Sequence, residues 1–239
     1  MRLEIKYGTK VIEFSVEYRD RKNLEISVEA PDIVKVIAPI DTHEEVIKEK
    51  VYSKASWIVQ RLFEFRDIEY RKIDKEYVSG ESFMYLGRNY SMQLLIDENI
   101  KNNQVKLYQG KLYIISNTKE EIVLQRLMEK WYRTKTLEKV TERVEYYKHF
   151  FKVEPSNIKV KEQKKRWASC TSKNELLFNW RCVMSPSNVL DYIVVHEMCH
   201  MIYPNHSNEF WELVVSILPD YESRKDWLKK FGVRMDLKP

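Results

Sequence analysis

The chain has 239 residues, 44% apolar and 32% charged, with 41 basic against 36 acidic side chains and a formal net charge of +5. This is the composition of a soluble globular protein long enough for one or two cores. It excludes a helical membrane span, because no apolar run reaches ~18 residues, and its mild basicity permits an acidic partner without demanding one.

The opening MRLEIKYGTK lacks the apolar segment of a secretory signal. Strand-like alternation follows in VIEFSVEY (11–18), LEISVEA (24–30) and IVKVIAP (33–39). Asp41 and Thr42 ahead of Glu44 and Glu45 form a capping pattern that starts a helix, predicted to run to about residue 72. Strand character returns over 83–115, with turns near Gly87-Arg88-Asn89 and at Gln109-Gly110. Thr118 and Glu121 open a long helix whose apolar stripe holds Leu124, Leu127, Met128, Trp131, Val140, Val144 and Tyr147. Short strands are predicted over 157–183, turning at Ser172-Lys173-Asn174.

Ser185 and Pro186 signal the next helix, SNVLDYIVVHEMCHMI, which stops before Pro204. Further helices are predicted at 207–217 and 220–231. No internal repeat or flexible linker stands out. The boundary falls near residue 117, giving an N-terminal β-rich region with one helix (1–117) and a C-terminal region (118–239). The fold class is α+β.

Three of the five histidines, His196, His200 and His206, lie in VVHEMCHMIYPNHSNEFW. His196 and His200 are four residues apart on a predicted helix, so both imidazoles share one face and can reach one cation. Glu197 is placed to hold a polarised water. Leu190, Ile193, Val194, Val195 and Met198 surround the motif, so the helix is expected to be buried. Two imidazoles and a carboxylate left unpaired there cost several kcal/mol. The structural alternative is a cluster of hydrogen-bonded histidines. His206 is the natural third ligand, returned by the turn Tyr203-Pro204-Asn205, and Glu209 and Glu212 are its rivals. Ser207 or Asn205 caps the helix that follows.

The HExxH-x5-H spacing equals that of metzincins, but Tyr203 stands where that pattern has glycine and no Met-turn follows. The chemistry this set supports is Zn2+-assisted hydrolysis, with Glu197 moving the proton. Tyr203 and Arg181 are candidates for stabilising the oxyanion.

Cys170, Cys182 and Cys199 are an odd number without C-x-x-C spacing, which points to reduced thiols and a cytoplasmic location. Cys199 reads as a small buried apolar residue. The five glycines are scattered, so a glycine-rich phosphate loop is absent. The basic run KVKEQKKR (159–166) reads as a solvated strand face, with nucleic-acid binding the lesser alternative.

Arg166-Trp167-Ala168-Ser169-Cys170, then Asn179-Trp180-Arg181, then His196 to Trp211 with its Ser207-x-x-Phe210-Trp211 ending, stand in an order that resembles the YgjP-like metallopeptidase family, relatives of the WLM and SprT-like zinc proteases. The similarity covers residues 83 to about 231, with Tyr85 to Arg88 as its upstream outpost. It implies a zincin-like helical metallopeptidase domain with a short β-sheet. It also implies zinc on His196, His200 and His206, Glu197 as catalytic acid/base, and a polypeptide substrate. Trp167 and Ser169 join Tyr203 and Arg181 as candidate substrate contacts, although Trp167 and Trp180 also suit core packing. Ala168 replaces the glycine usual in that stretch. Two other functions stay open: a metal-dependent nucleotide pyrophosphatase, and a non-catalytic zinc-stapled binding module.

Overall fold

The computed structural model describes residues 1–29, 32–66, 75–163 and 166–235. The chain forms two compact units, Met1–Arg71 and Lys72–Pro239. The sequence reading set the division at 117 instead. The two divisions differ because the strands of 82–116 bury their apolar faces against the helix that follows them, so they share its core.

Unit 1 holds β1 (Arg2–Tyr7), β2 (Lys10–Arg19), β3 (Glu25–Glu29) and β4 (Ile33–Pro39). The sheet order is β1-β2-β4-β3, with β2 and β4 parallel and the other pairs antiparallel. Period-2 alternation puts Ile12, Phe14, Val16, Val34, Val36 and Ala38 on one face. Ile47, Val51, Ala55 and Ile58 from two helices join them in one core. These helices are α1 (Glu44–Ser53) and α2 (Ala55–Arg66), not one continuous rod. Lys54 leaves the helical region at φ −108° and ψ 7°, breaking the single helix that the capping pattern suggested. That helix's predicted end near 72 lies outside the described residues, as does Ala30.

Unit 2 begins with β5 (Ser82–Tyr85), β6 (Arg88–Ile96), β7 (Gln104–Tyr108) and β8 (Lys111–Ser116). Their order, β5-β6-β8-β7, reproduces that of unit 1, again with the second and fourth strands parallel. The chain therefore contains an internal topological repeat that the sequence reading missed. What repeats is an alternation pattern and a strand order, not particular residues.

α3 (Glu121–Tyr147) follows, 27 residues and therefore about 40 Å long. Its first half lies on the sheet: Leu124, Met128, Trp131 and Tyr132 pack with Phe83, Met92, Leu112 and Ile114. Each such side chain contributes roughly 1.5–3 kcal/mol by leaving water. Its second half, Val140, Val144 and Tyr147, belongs to a separate core built around α4 (Ser187–Cys199). Between the halves Thr136, fully buried, donates its hydroxyl to the Trp180 carbonyl at 2.6 Å.

A second sheet, β10 (Ala168–Cys170), β11 (Glu175–Asn179) and β9 (Asn157–Lys161) in that order, leaves β10 as an edge strand. In the basic run before it, Lys159 pairs with Glu175, while Lys164 and Lys165 lie outside the described residues. The 3-10 turn Trp180–Met184 leads into α4, and α5 (Asn208–Ile217) and α6 (Tyr221–Phe231) complete the unit. α4 starts at Ser187 as predicted, with Pro186 as its N-cap residue, because the Ser185 hydroxyl donates to the Cys182 carbonyl instead of capping the helix. Among the described residues no helix is long and apolar enough to cross a membrane.

The β5–β6 turn aims α4. Leu86 and Gly87 donate their amides to the Val183 and Met184 carbonyls at 2.8 and 3.0 Å. Gly87 has φ +75°, and a Cβ there would lie 2.9 Å from the Pro186 Cα. Gly110 shares φ +75° but has nothing within 4 Å of the same point. Gly87→Ala should therefore cost about 2–4 kcal/mol in urea unfolding, strain and clash together, against about 1 kcal/mol for Gly110→Ala. Equal losses would show that the approach to Pro186 does not matter.

Candidate metal centre

α4 is apolar on nearly every side. Val189, Leu190, Ile193, Val194, Val195, Met198 and Cys199 are all buried, which fixes the helix in the middle of its core. Its carboxylate Asp191 has a partner for each oxygen. Arg143 of α3 forks onto it at 2.5 and 3.1 Å, and the Tyr147 hydroxyl donates at 3.1 Å. Arg224 of α6 stands 4.0 Å away. The sequence reading missed this clamp. A lone carboxylate within VLDYIVV was the available signal, since a buried charge requires a partner.

His196 lies in the last turn of α4, and His200 is its C-terminal capping residue. Pro204 then breaks the chain, and the turn before α5 brings His206 back. The His206 Nε2 comes within 3.0 Å of the His196 Nε2. One ring nitrogen from each of the three histidines lies within 4.8 Å of the others, and among the described residues no fourth His, Cys, Asp or Glu joins this group. The rivals Glu209 and Glu212 are exposed on α5, and Glu209 bonds to Ser207. Ser207 is the N-cap residue of α5, though its side chain makes no capping bond.

The rings are held from behind. His200 Nδ1 is 3.0 Å from the Tyr203 carbonyl, so Nδ1 carries the proton and Nε2 stays free. His196 Nδ1 is 3.4 Å from the Tyr192 hydroxyl. Phe210, fully buried, lies 4.6–5.0 Å from all three imidazole centroids and forms a common floor. Trp211 stacks on His206.

Electrostatics favour unprotonated rings at His196 and His206. Burial, then the charges of His200, His206 and Lys225, push His196 down to about 3. Burial, then His200 and Lys225, also lower His206. Neutral imidazoles are the form that binds a cation. Two nitrogens at ~2.0–2.1 Å from a tetrahedral ion stand roughly 3.3 Å apart, near the spacing of His196 and His206, so the donor set fits a tetrahedral metal with three protein ligands.

Glu197 is buried beside them. Burial raises its carboxyl to about 7, opposed by a hydrogen bond from the Cys170 amide and by the charge of Arg166. That amide is available because β10 amides alternate: Thr171 donates to Glu175 on β11, so the Cys170 N–H points off the free edge. The Cys170 thiol is itself pushed up to about 11 by burial and by Glu197, and it stays protonated.

The remaining predicted residues divide. Tyr203 reaches the centre through its carbonyl. Trp167 packs between the two cores of unit 2, and its carbonyl accepts from the Asn179 amide at 2.7 Å and the Cys182 thiol at 3.0 Å. Ser169 sits in β10. Arg181 is buried, paired to Glu162 at 2.5 Å and stacked over Trp180. Glu162 also takes the Trp180 indole N–H, and Asn179 donates to the Gln163 carbonyl at 2.7 Å. Asn179, Trp180, Arg181 and Glu162 thus pin the segment that carries β10. Glu162 was missed because its partners lie 18 and 19 residues away.

A family model described as YgjP-like, metallopeptidase domain, matches residues 22–231. Among solved structures, the metallopeptidase zymogen abylysin of Pyrococcus abyssi is similar at 19% identity, covering 37% of this chain and 90% of that one with a TM-score of 0.35. No curated protein matches.

The position of Glu197 has a consequence for stability. Its folded value, about 7, lies above the ordinary 4.5. Its contribution is therefore fully present below pH about 4.5 and is lost as pH rises through about 7. Metal-free protein should lose up to about 3 kcal/mol more than metal-free Glu197→Gln between pH 4.5 and 8, read from urea unfolding at each pH. Parallel pH profiles for the two proteins would exclude a raised carboxyl.

Proposed function

The chain belongs to the YgjP-like metallopeptidase family, and on that premise we propose that it is a zinc-dependent peptidase acting on polypeptides. The observation that carries this reading is the convergence of three imidazole nitrogens within 4.8 Å, beside a buried carboxylate on the same helix. An all-imidazole donor set suits zinc better than magnesium or calcium, which prefer oxygen. His196, His200 and His206 would hold the ion, and among the described residues no fourth His, Cys, Asp or Glu stands with them. Zinc bound there polarises the substrate carbonyl and acidifies the attacking water.

The remaining steps belong to the chain. Glu197 takes the proton of the attacking water and returns it to the leaving amine. In the metal-free protein burial raises this carboxyl, and the charge of a bound cation would favour its ionised, proton-accepting form. The Cys170 amide fixes the orientation of that carboxylate. The free edge of β10 offers backbone groups to an extended polypeptide, which would bind as an added strand. Tyr203 serves the site by orienting His200 through its carbonyl. Free thiols at Cys170, Cys182 and Cys199 suit the reducing cytoplasm.

Glu197→Gln should retain one equivalent of zinc while hydrolysis of an unfolded protein substrate falls about 10²–10⁴-fold. His206→Ala should bind zinc at least about tenfold more weakly, and a chelator should remove activity from the wild type. Full activity in Glu197→Gln, with zinc bound, would end the general-base assignment.

A further inference from the structure

One cation at the rim of the histidine cluster has no part in the mechanism above. Trp211 stacks on His206 with centroids 5.5 Å apart and planes 23° apart, and Tyr221 stacks on Trp211 at 5.3 Å. Lys225 Nζ sits 4.5 Å from the centre of the Trp211 ring. Its charge reaches His196 and His206, where it opposes protonation of both.

Two neighbouring charges on α6, Arg224 and Glu222, are already engaged. Arg224 pairs with Asp220 at 2.8 Å and donates to the Asn188 carbonyl at 2.9 Å. Glu222 accepts from the Tyr221 hydroxyl at 3.4 Å. Lys225 is exposed and forms no ion pair among the described residues. A free lysine normally samples many rotamers, but an aromatic face beneath the ammonium keeps the charge near one place. Here that place adjoins the ring of His206.

We propose that Lys225 and the face of Trp211 form a subsite for a substrate carboxylate, so that the enzyme prefers polypeptides with an acidic side chain or a free C-terminus next to the bond cleaved. This rests on the peptidase reading. The ammonium meets the carboxylate, and the indole supports the aliphatic atoms that carry it. An exposed pair of this kind gives at most about a fivefold preference, and salt weakens it.

The test uses zinc-loaded wild type, Lys225→Gln and Lys225→Glu. The substrates are quenched fluorescent peptides of one core sequence. They carry Glu, Gln or Lys at successive positions beside the scissile bond, each as free acid and as C-terminal amide. In the wild type, kcat/KM should favour Glu over Lys at one position by up to about fivefold, or the free acid over the amide. Whichever pair shows the effect identifies the source of the carboxylate. Lys225→Gln should flatten the preference, Lys225→Glu should invert it, and about 0.5 M salt should weaken it in the wild type. Unchanged ratios in Lys225→Glu would overturn the subsite. If no zinc-loaded protein cuts any peptide, the peptidase reading fails separately. Fluorescence anisotropy of the same peptides on zinc-loaded Glu197→Gln, with and without Lys225→Glu, then decides the subsite. A charge preference that Lys225→Glu abolishes supports it, and identical affinities overturn it.

Discussion

The burial of α4 is the constraint on which unit 2 depends. A helix apolar on nearly all sides must sit inside a core, yet this one carries Asp191, His196 and Glu197, with His200 at its end. Each polar group needs a partner that survives exclusion of water. Asp191 finds Arg143 and Tyr147 on α3, His196 lies beside the Tyr192 hydroxyl, and Glu197 takes the Cys170 amide. These partners come from the same helix, from α3 and from the edge strand β10. The core therefore cannot form without also setting the orientation of the polar cluster.

α3 and the sheet before it supply the frame. α3 is long enough to belong to two cores, and it hands over between them where Thr136 bonds to the carbonyl of Trp180. The β5–β6 turn then docks its backbone on Val183 and Met184, at the mouth of α4. A glycine at position 87 is the chemical condition for that approach, because Pro186 leaves no room for a Cβ. The recurrence of one strand order in residues 2–39 and 82–116 shows the same small sheet used twice. In unit 2 it frames the helix carrying the histidines, and the family match from 22 to 231 includes β3 and β4 of the first copy as well.

Around the histidines, the aromatic side chains matter as much as the imidazoles. Phe210 is near-equidistant from all three rings, and Trp211 lies against the one that is exposed. An apolar floor limits the rotation of the rings, so the cost of ordering them is met during folding rather than at binding.

Much of this was legible in the residues themselves. The strands of 82–116, the long helix from 121, and the helices at 208–217 and 221–231 follow from periodicity and turn chemistry, which act within a few residues. The four-residue spacing of His196 and His200 put two imidazoles on one helical face without further information. The choice of His206 over Glu209 and Glu212, the bond from Cys170 to Glu197, the Glu162 clamp on Trp180 and Arg181, and the unit boundary near 71 required the tertiary structure. Each joins groups separated by turns whose angles no local preference dictates, or depends on which surfaces find one another when water is expelled. Local sequence set the elements and the chemistry available on them; packing decided which of those groups meet.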